Sequence, residues 1–262
     1  MTELIFLGVG AIRPAVPGDH TALLIRYNEK TLLLDAGPAL MVQLERASVE
    51  PEEISHVYFS HQHGDHTLGS PILLFHHRPR YYLAAAEVLR AWRKLLEIAY
   101  PRFIDTIADE IILHPLPVAH PHVWPELPGV CARLALVYHS RLPAFALRLD
   151  FACEDEEPFS IVYTGDTAAT ERVSELARGA DLLIHEATYL TPHPEGSDGI
   201  HSSAFEAGQI AQAADVRALA LTHRLAGDPE AWRAEAARAF SGTILIPMAG
   251  DRLRLPQDLP QR

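Results

Sequence analysis

Cysteine is nearly missing from this sequence: Cys131 and Cys153 are the only two in 262 residues. Neither has a partner at CxxC spacing, which argues against a thiolate metal cluster, and both read as reduced thiols of the core. Also lacking is any apolar run of membrane-spanning length. The start, Met1-Thr2-Glu3 running straight into Leu4-Ile5-Phe6-Leu7-Gly8, has no basic region of a secretory signal, so a cytoplasmic location without membrane attachment is expected. Positive charge is scarce: 22 lysines and arginines face 34 aspartates and glutamates, for a formal net charge of −12. A chain that grips a long polyanion neutralises phosphates with clustered cations, and no dense basic run occurs, so nucleic acid is disfavoured as a partner. The strongest charged run, Glu154-Asp155-Glu156-Glu157 after Cys153, is acidic and reads as a solvated turn.

What the chain does have is core material and punctuation. Hydrophobic residues make up 48% of it, and 20 prolines and 15 glycines separate short periodic segments. The pattern predicts one domain over 1–262 with many short connections and no long linker. Strands are expected at Glu3–Leu7, Ala22–Tyr27 and Thr31–Leu34, followed by a helix within Pro38–Ala47. Later strands are expected at Arg80–Leu83, Glu110–Leu113, Arg133–Tyr138, Phe145–Phe151, Ser160–Thr164, Asp181–His185, Ala218–Thr222, Thr243–Met248 and Arg252–Leu255. Helices are expected at Glu87–Tyr100, Thr170–Arg178, Ala204–Ala214 and Pro229–Phe240. In the first of these, Val88, Leu89, Trp92, Leu95, Leu96 and Ala99 form one apolar stripe, read as core, with a lid or dimer face as the alternative. Gly8-Val9-Gly10 lacks the third glycine and the following helix of a dinucleotide loop.

The chemistry concentrates in Ser60-His61-Gln62-His63-Gly64-Asp65-His66, directly after the apolar Val57-Tyr58-Phe59. Imidazole and carboxylate are ordinary ligands of Zn²⁺ and its first-row neighbours. If the chain leaves the strand extended, His61 and His63 point the same way and reach one ion. Gly64 lets the chain turn, sending Asp65 and His66 towards a second position. Two ions need further ligands, and three positions fit: Asp166 in Gly165-Asp166-Thr167, His223 after Leu219-Ala220-Leu221-Thr222, and His139 after Val137-Tyr138. Each ends an apolar strand. His120 and His122 also follow an apolar run and stay open as alternatives to His139, whereas His114, His76 and His77 read as surface residues. Asp35, in Asp35-Ala36-Gly37 at the tip of a hairpin, is either a turn residue or, on the family resemblance given below, a support beneath the site.

H-x-H-x-D-H at 61–66 resembles the signature of the metallo-β-lactamase superfamily. The order that follows is similar to its ribonuclease Z-like branch: His139 with Pro143-Ala144-Phe145, Gly165-Asp166-Thr167, His185-Glu186-Ala187-Thr188, His201-Ser202-Ser203-Ala204 and Thr222-His223. The resemblance runs from Leu7-Gly8 to Thr222-His223. It implies an α/β fold, the four-layer αβ/βα sandwich of two mixed β-sheets flanked by helices. It also implies two divalent metal ions, zinc first with manganese or iron admitted. One would be held by His61, His63, His139 and Asp166, the other by Asp65, His66, His223 and the shared Asp166. A hydroxide bridging the two metals would attack the substrate. His201 is the candidate general acid, or else an ordinary residue at a helix start, and Glu186 would orient it. Asp65 counts among the catalytic residues as well as the ligands.

The long arm by which ribonuclease Z grips tRNA cannot fit after the third ligand histidine, because only a short acidic turn lies between Phe145 and Asp166. With the net charge, this points to a hydrolase of a small phosphodiester. The alternatives are a ribonuclease Z-like RNA endonuclease, a hydrolase of another ester such as a sulfate ester, lactone or thioester, and a non-catalytic metal-binding member. A homodimer is a family-level expectation. Specificity is expected in the loops Ile12–His20, Pro115–Gly129 and Tyr189–Ile200.

Overall fold

The structure is a computed structural model that describes residues 2–16, 18–118, 120–123, 127–152, 158–192 and 199–261. Three strands open the chain, β1 (Thr2–Gly8), β2 (Ala22–Tyr27) and β3 (Lys30–Leu34), and helix α1 (Leu40–Arg46) follows. After β4 (His56–Tyr58) come two short helices, α2 (Gly64–Thr67) and α3 (Ser70–His76). Strand β5 (Tyr81–Ala84), helix α4 (Ala86–Ala99), helix α5 (Phe103–Thr106) and strand β6 (Ile112–Pro115) complete the first half. The second half is β7 (His122–Val123), β8 (Val130–Val137), β9 (Ala144–Phe151), β10 (Phe159–Tyr163), α6 (Glu171–Ala177), β11 (Leu182–Glu186), α7 (Ala204–Ala214), β12 (Ala218–Thr222), α8 (Pro229–Ala237), β13 (Thr243–Leu245) and β14 (Arg252–Leu255).

Among the described residues these strands form two seven-stranded sheets, ordered β14-β1-β2-β3-β4-β5-β6 and β13-β12-β11-β10-β9-β8-β7. Each is antiparallel in one half and parallel in the other: β3 to β6 run parallel in the first sheet and β10 to β13 in the second. The two mixed sheets with flanking helices are the fold expected from the sequence.

Alternation along the strands explains the layering. In the second sheet Ile161, Tyr163, Leu182, Ile184, Ala218 and Ala220 join the core shared with the first sheet. Their neighbours Val162, Leu183, Leu219 and Leu221 face the other way, into a second core with Ala204, Ala207 and Ala211 of α7 and Trp232 of α8. Strands buried on both faces read as continuous apolar runs, which is why Ser160–Thr164 and Ala218–Thr222 were legible. Small residues on α7 allow a close helix pair: a Cβ on Gly208 would stand 2.5 Å from the carbonyl oxygen of Ala236.

Several boundaries differ from expectation. The stripe on α4 buries Val88, Leu89, Trp92 and Leu96, but Leu95 is half-buried and Ala99 exposed. The strand expected at Glu110–Leu113 lies at Ile112–Pro115, where pairing with β5 extends it through His114. The final turn expected in Pro229–Phe240 does not continue past Ala237, and β13 stops at Leu245, before Pro247. Cys131, expected in the core, is half-buried on β8; Cys153 and the acidic turn 154–157 lie outside the described residues. No helix among the described residues is long and apolar enough to cross a membrane.

His56 couples this core to pH. It is 1% exposed, its ring stacks on Tyr81 at 4.7 Å, and burial, with Lys30 nearby, brings its pKa down to about 4. The unfolded chain therefore binds a proton that the folded one refuses between about pH 6.5 and 4. Stability from this group is full above pH 6.5 and is lost as pH falls, by about 3 kcal/mol in all. In the His56→Phe variant, the fall in the urea midpoint between pH 7 and 4.5 is expected to shrink accordingly; an unchanged fall would remove His56 from the acid response.

Candidate metal centre

Every candidate ligand sits at the carboxyl end of a strand, so the strands deliver the site to one edge of the two-sheet sandwich. His61, His63, Asp65 and His66 follow β4, Asp166 follows β10, His139 follows β8 and His223 follows β12. Parallel strands end at the same level, which is how residues 162 positions apart in sequence come together. Helix α2 carries Asp65 and His66 away from the extended His61–His63 stretch, as the Gly64 turn implied.

The side chains form two groups able to hold a metal ion: His61, His63, His139 and Asp166, and Asp65, His66, Asp166 and His223. Asp166 belongs to both. Its Oδ2 lies 3.8 Å from Nε2 of His61, 3.8 Å from Nε2 of His139 and 3.3 Å from Nε2 of His223, and its Oδ1 lies 3.2 Å from Nε2 of His66. These separations suit ligands converging on a common cation. A third group, Glu186, His201 and His223, adjoins them. His120 and His122, the open alternatives to His139, take no part: His120 is exposed and His122 pairs with His114. His76 is exposed, and half-buried His77 bonds the carbonyl of Ile54.

Hydrogen bonds at the far side of His61, His66, His139 and His223 fix which nitrogen faces the centre, while His63 turns its Nδ1 towards Nε2 of His139 at 2.9 Å. Nδ1 of His66 donates to Oδ2 of Asp35 at 2.8 Å. Ser60 Oγ gives its proton to the same oxygen at 2.6 Å, so it accepts from Nδ1 of His61 at 3.0 Å. Nδ1 of His139 donates to the carbonyl of Ile200 at 3.2 Å. Thr188 Oγ1 donates to Glu186 at 2.8 Å and so accepts from Nδ1 of His223 at 2.9 Å. With the protons on Nδ1, the Nε2 lone pairs point inwards. Nε2 of His61, Nε2 of His66 and Oδ1 of Asp166 are buried with no hydrogen-bond partner. Orphaned acceptors at such depth are costly, and a cation satisfies them together, so the residues fit the two metal ions expected.

Electrostatics agree with this. Burial holds His61, His63 and His139 below the ordinary histidine range, so they are neutral ligands at pH 7. Burial also opposes charge on His66, but Asp166 and Asp35 outweigh it and hold that ring well above its usual value. Burial would raise Asp166; His223 and His66 hold it well below the carboxylate range.

Asp35 is a hub beneath the site. It accepts from the Ser60 amide at 2.8 Å, Ser60 Oγ, His66 Nδ1 and the Tyr163 hydroxyl at 2.6 Å, and is fully buried. The supporting reading of Asp35 stands over the turn-residue reading. Ser60, Tyr163 and Thr188 carry supporting contacts that sequence reasoning did not assign; only for Ser60, directly before His61, was a hydroxyl beside a candidate ligand available as a signal. Gly165 turns β10 into Asp166 at φ +57°, and a Cβ there would meet Cβ of Ser60 at 2.6 Å. Asp35 (φ +57°) and His223 (φ +52°) hold left-handed backbone as well, a strain of the kind stored at functional sites. Asp35→Asn is expected to lower metal affinity by about 10- to 100-fold, read by competition with a chromogenic chelator, because an amide cannot accept from all four donors. Unchanged affinity would reduce Asp35 to a structural turn.

His201 and Glu186 stand beside the second group. Nδ1 of His201 is 2.8 Å from Oε1 of Glu186, which also accepts from the Thr167 amide at 2.9 Å. Oε2 of Glu186 accepts from the amide and hydroxyl of Thr188. Held by four contacts and 1% exposed, Glu186 is rigid, whereas the His201 side chain keeps 13% of its surface open. Helix α7 begins just after His201 with a reciprocal cap between Ser203 and Glu206, while Ser202 donates to the carbonyl of Thr167, so neither serine uses His201.

Comparison with known proteins follows the same lines. The model of the β-lactamase superfamily domain matches residues 30–224. A ribonuclease Z of Thermococcus kodakarensis is 30% identical over 277 aligned positions, covering 86% of this chain and 84% of that protein. The alignment is longer than the whole of this chain, so that relative carries segments absent here. Among solved structures, the metallo-β-lactamase fold protein YhfI from Bacillus subtilis superposes with a TM-score of 0.80 at 22% identity, covering 96% of this chain and 98% of that one. A diphosphatase of the PhnP family gives 0.70 at 19% identity, covering 97% and 98%. At those identities the two structures speak for the fold.

Proposed function

The chain belongs to the β-lactamase superfamily, in the ribonuclease Z-like branch with the metallo-β-lactamase fold, and from that membership we propose that this hydrolase is a dinuclear phosphodiesterase acting on RNA. The observation that carries the reading is Asp166, common to two four-residue groups in which its own Oδ1 and the Nε2 atoms of His61 and His66 are buried without a hydrogen-bond partner. Two divalent cations, zinc before manganese or iron for this donor set, would supply positive charge and a water acidified enough to attack at neutral pH.

His61, His63 and His139 hold one position, Asp65, His66 and His223 the other, and Asp166 spans both. Burial would raise Asp65, but the neighbouring His223 and His66 bring it down to about 2, so it is a carboxylate across the neutral range and would accept from the attacking water. His201 keeps its Nδ1 proton on Glu186, and as the imidazolium, with a second proton on Nε2, it would give that second proton to the leaving oxygen and return to neutral imidazole. Glu186 is a positioning residue.

The sequence pointed first to a small phosphodiester, because no arm fits between Phe145 and Asp166. The ribonuclease Z relatives, matched over most of their length, favour RNA instead. The small-substrate reading is kept as the second, for the segments missing from this chain and its net charge of −12.

The deciding assay presents the zinc-loaded protein with a hairpin RNA bearing a 3′ trailer, with bis-p-nitrophenyl phosphate and with a cyclic nucleotide. Chelation should abolish all hydrolysis and zinc should restore it. Endonucleolytic release of the trailer supports the RNA reading; turnover of the small esters with intact RNA replaces it with the second, and inactivity on all three overturns both.

A further inference from the structure

We propose that His114 and His122 form a separate binding site for a single divalent transition-metal ion, outside the hydrolytic centre, that clips the edge strand of one sheet to the edge strand of the other. His114 lies on β6, the last strand of the first sheet, and His122 on β7, the last strand of the second. Among the described residues no hydrogen-bonded ladder joins these two edges. Their Nε2 atoms nevertheless stand 3.1 Å apart, with ring centroids at 5.1 Å and planes inclined by 55°.

Two imidazole nitrogens bound to one tetrahedral cation at 2.0–2.1 Å each lie roughly 3.3 Å apart. The observed separation is within a few tenths of an ångström of that value. Both rings are half-buried, so water can fill the remaining coordination positions. Among the described residues, each ring's hydrogen-bonding contact is the other ring, so binding a cation breaks one bond and forms two. His120, exposed and two residues before His122, lies outside the pair. Among the described residues β7 is weakly held, two residues long and paired through His122 and Val123. Pro115, Pro117 and Pro121 restrict the connecting backbone, which lowers the entropy cost of holding the two rings together. The net charge of −12 favours cation capture. For two imidazoles and water the affinity order places Ni²⁺ and Cu²⁺ above the earlier metals, so Ni²⁺ is a suitable probe.

The test loads the hydrolytic centre with zinc and titrates Ni²⁺ into the intact protein by calorimetry, with thermal melting in parallel. The expected result is one further equivalent of Ni²⁺ that raises the melting temperature. In His114→Gln, in His122→Gln and in the double variant, affinity for that equivalent should fall about tenfold or more. The double variant should be no worse than either single one, since one remaining ring cannot close the clip. Hydrolysis should persist in all of them. Identical Ni²⁺ isotherms in the unsubstituted protein and the variants would overturn the proposal and leave an ordinary imidazole hydrogen bond. Should a variant fail to fold, Ni²⁺-induced broadening of ring signals in the unsubstituted protein decides: selective loss of His114 and His122 supports the site, and unaffected rings refute it.

Discussion

Asp166→Ala empties the centre: metal analysis after dialysis is expected to fall from about two ions per chain to less than one, and hydrolysis to the detection limit. The carboxylate touches both groups, lying 3.2–3.8 Å from Nε2 of His61, His66, His139 and His223. Removing it takes a ligand from each ion and the negative charge that offsets their mutual repulsion. It also leaves the imidazoles facing one another with no anion between them, so excess zinc should not restore the rate. The fold is expected to survive, because Tyr163 and the strand before it are packed in the core between the sheets. Circular dichroism checks that point. Two retained ions in a folded variant would refute the ligand assignment; one retained ion would show that Asp166 serves a single position.

His201→Ala has the second largest effect and a different signature. Both ions should remain, since His201 belongs to neither four-residue group. The rate on an RNA phosphodiester, whose leaving oxygen needs a proton, should fall by about 10²- to 10⁴-fold. On bis-p-nitrophenyl phosphate, whose leaving group departs as the anion, the loss should be much smaller. Glu186→Gln should lose part of the same rate, and in the double variant the two losses should not add, because Glu186 acts through the ring it holds at 2.8 Å. Equal losses on both substrates would point to damage in metal binding through Thr188 and His223 instead, and no loss on RNA would end the role of His201 as acid.

The ligand types and their order were readable because H-x-H-x-D-H packs four of them into six residues and the others each end an apolar strand. The fold was readable for a related reason: β10, β11 and β12 are buried on both faces, and such strands show as unbroken apolar runs. Element ends were less legible. His114 was read as a surface residue past a strand, and pairing with β5 draws it into β6. Leu95 and Ala99 have the helical period of a core stripe, yet Leu95 is half-buried and Ala99 exposed.

The sequence by itself determined the donor set, the two-sheet architecture and the helices that cover it, because hydrophobic period and ligand chemistry are local properties. Only the tertiary structure decided between His139 and the pair His120 and His122, because that choice depends on which strand ends reach the edge where β4, β10 and β12 finish. Tertiary structure alone also gave Asp35 its four donors, turned each Nε2 inwards through Ser60, Ile200 and Thr188, and set His114 against His122 across the two sheet edges. Those contacts join residues up to 128 positions apart, and no local pattern encodes the distance between two such side chains.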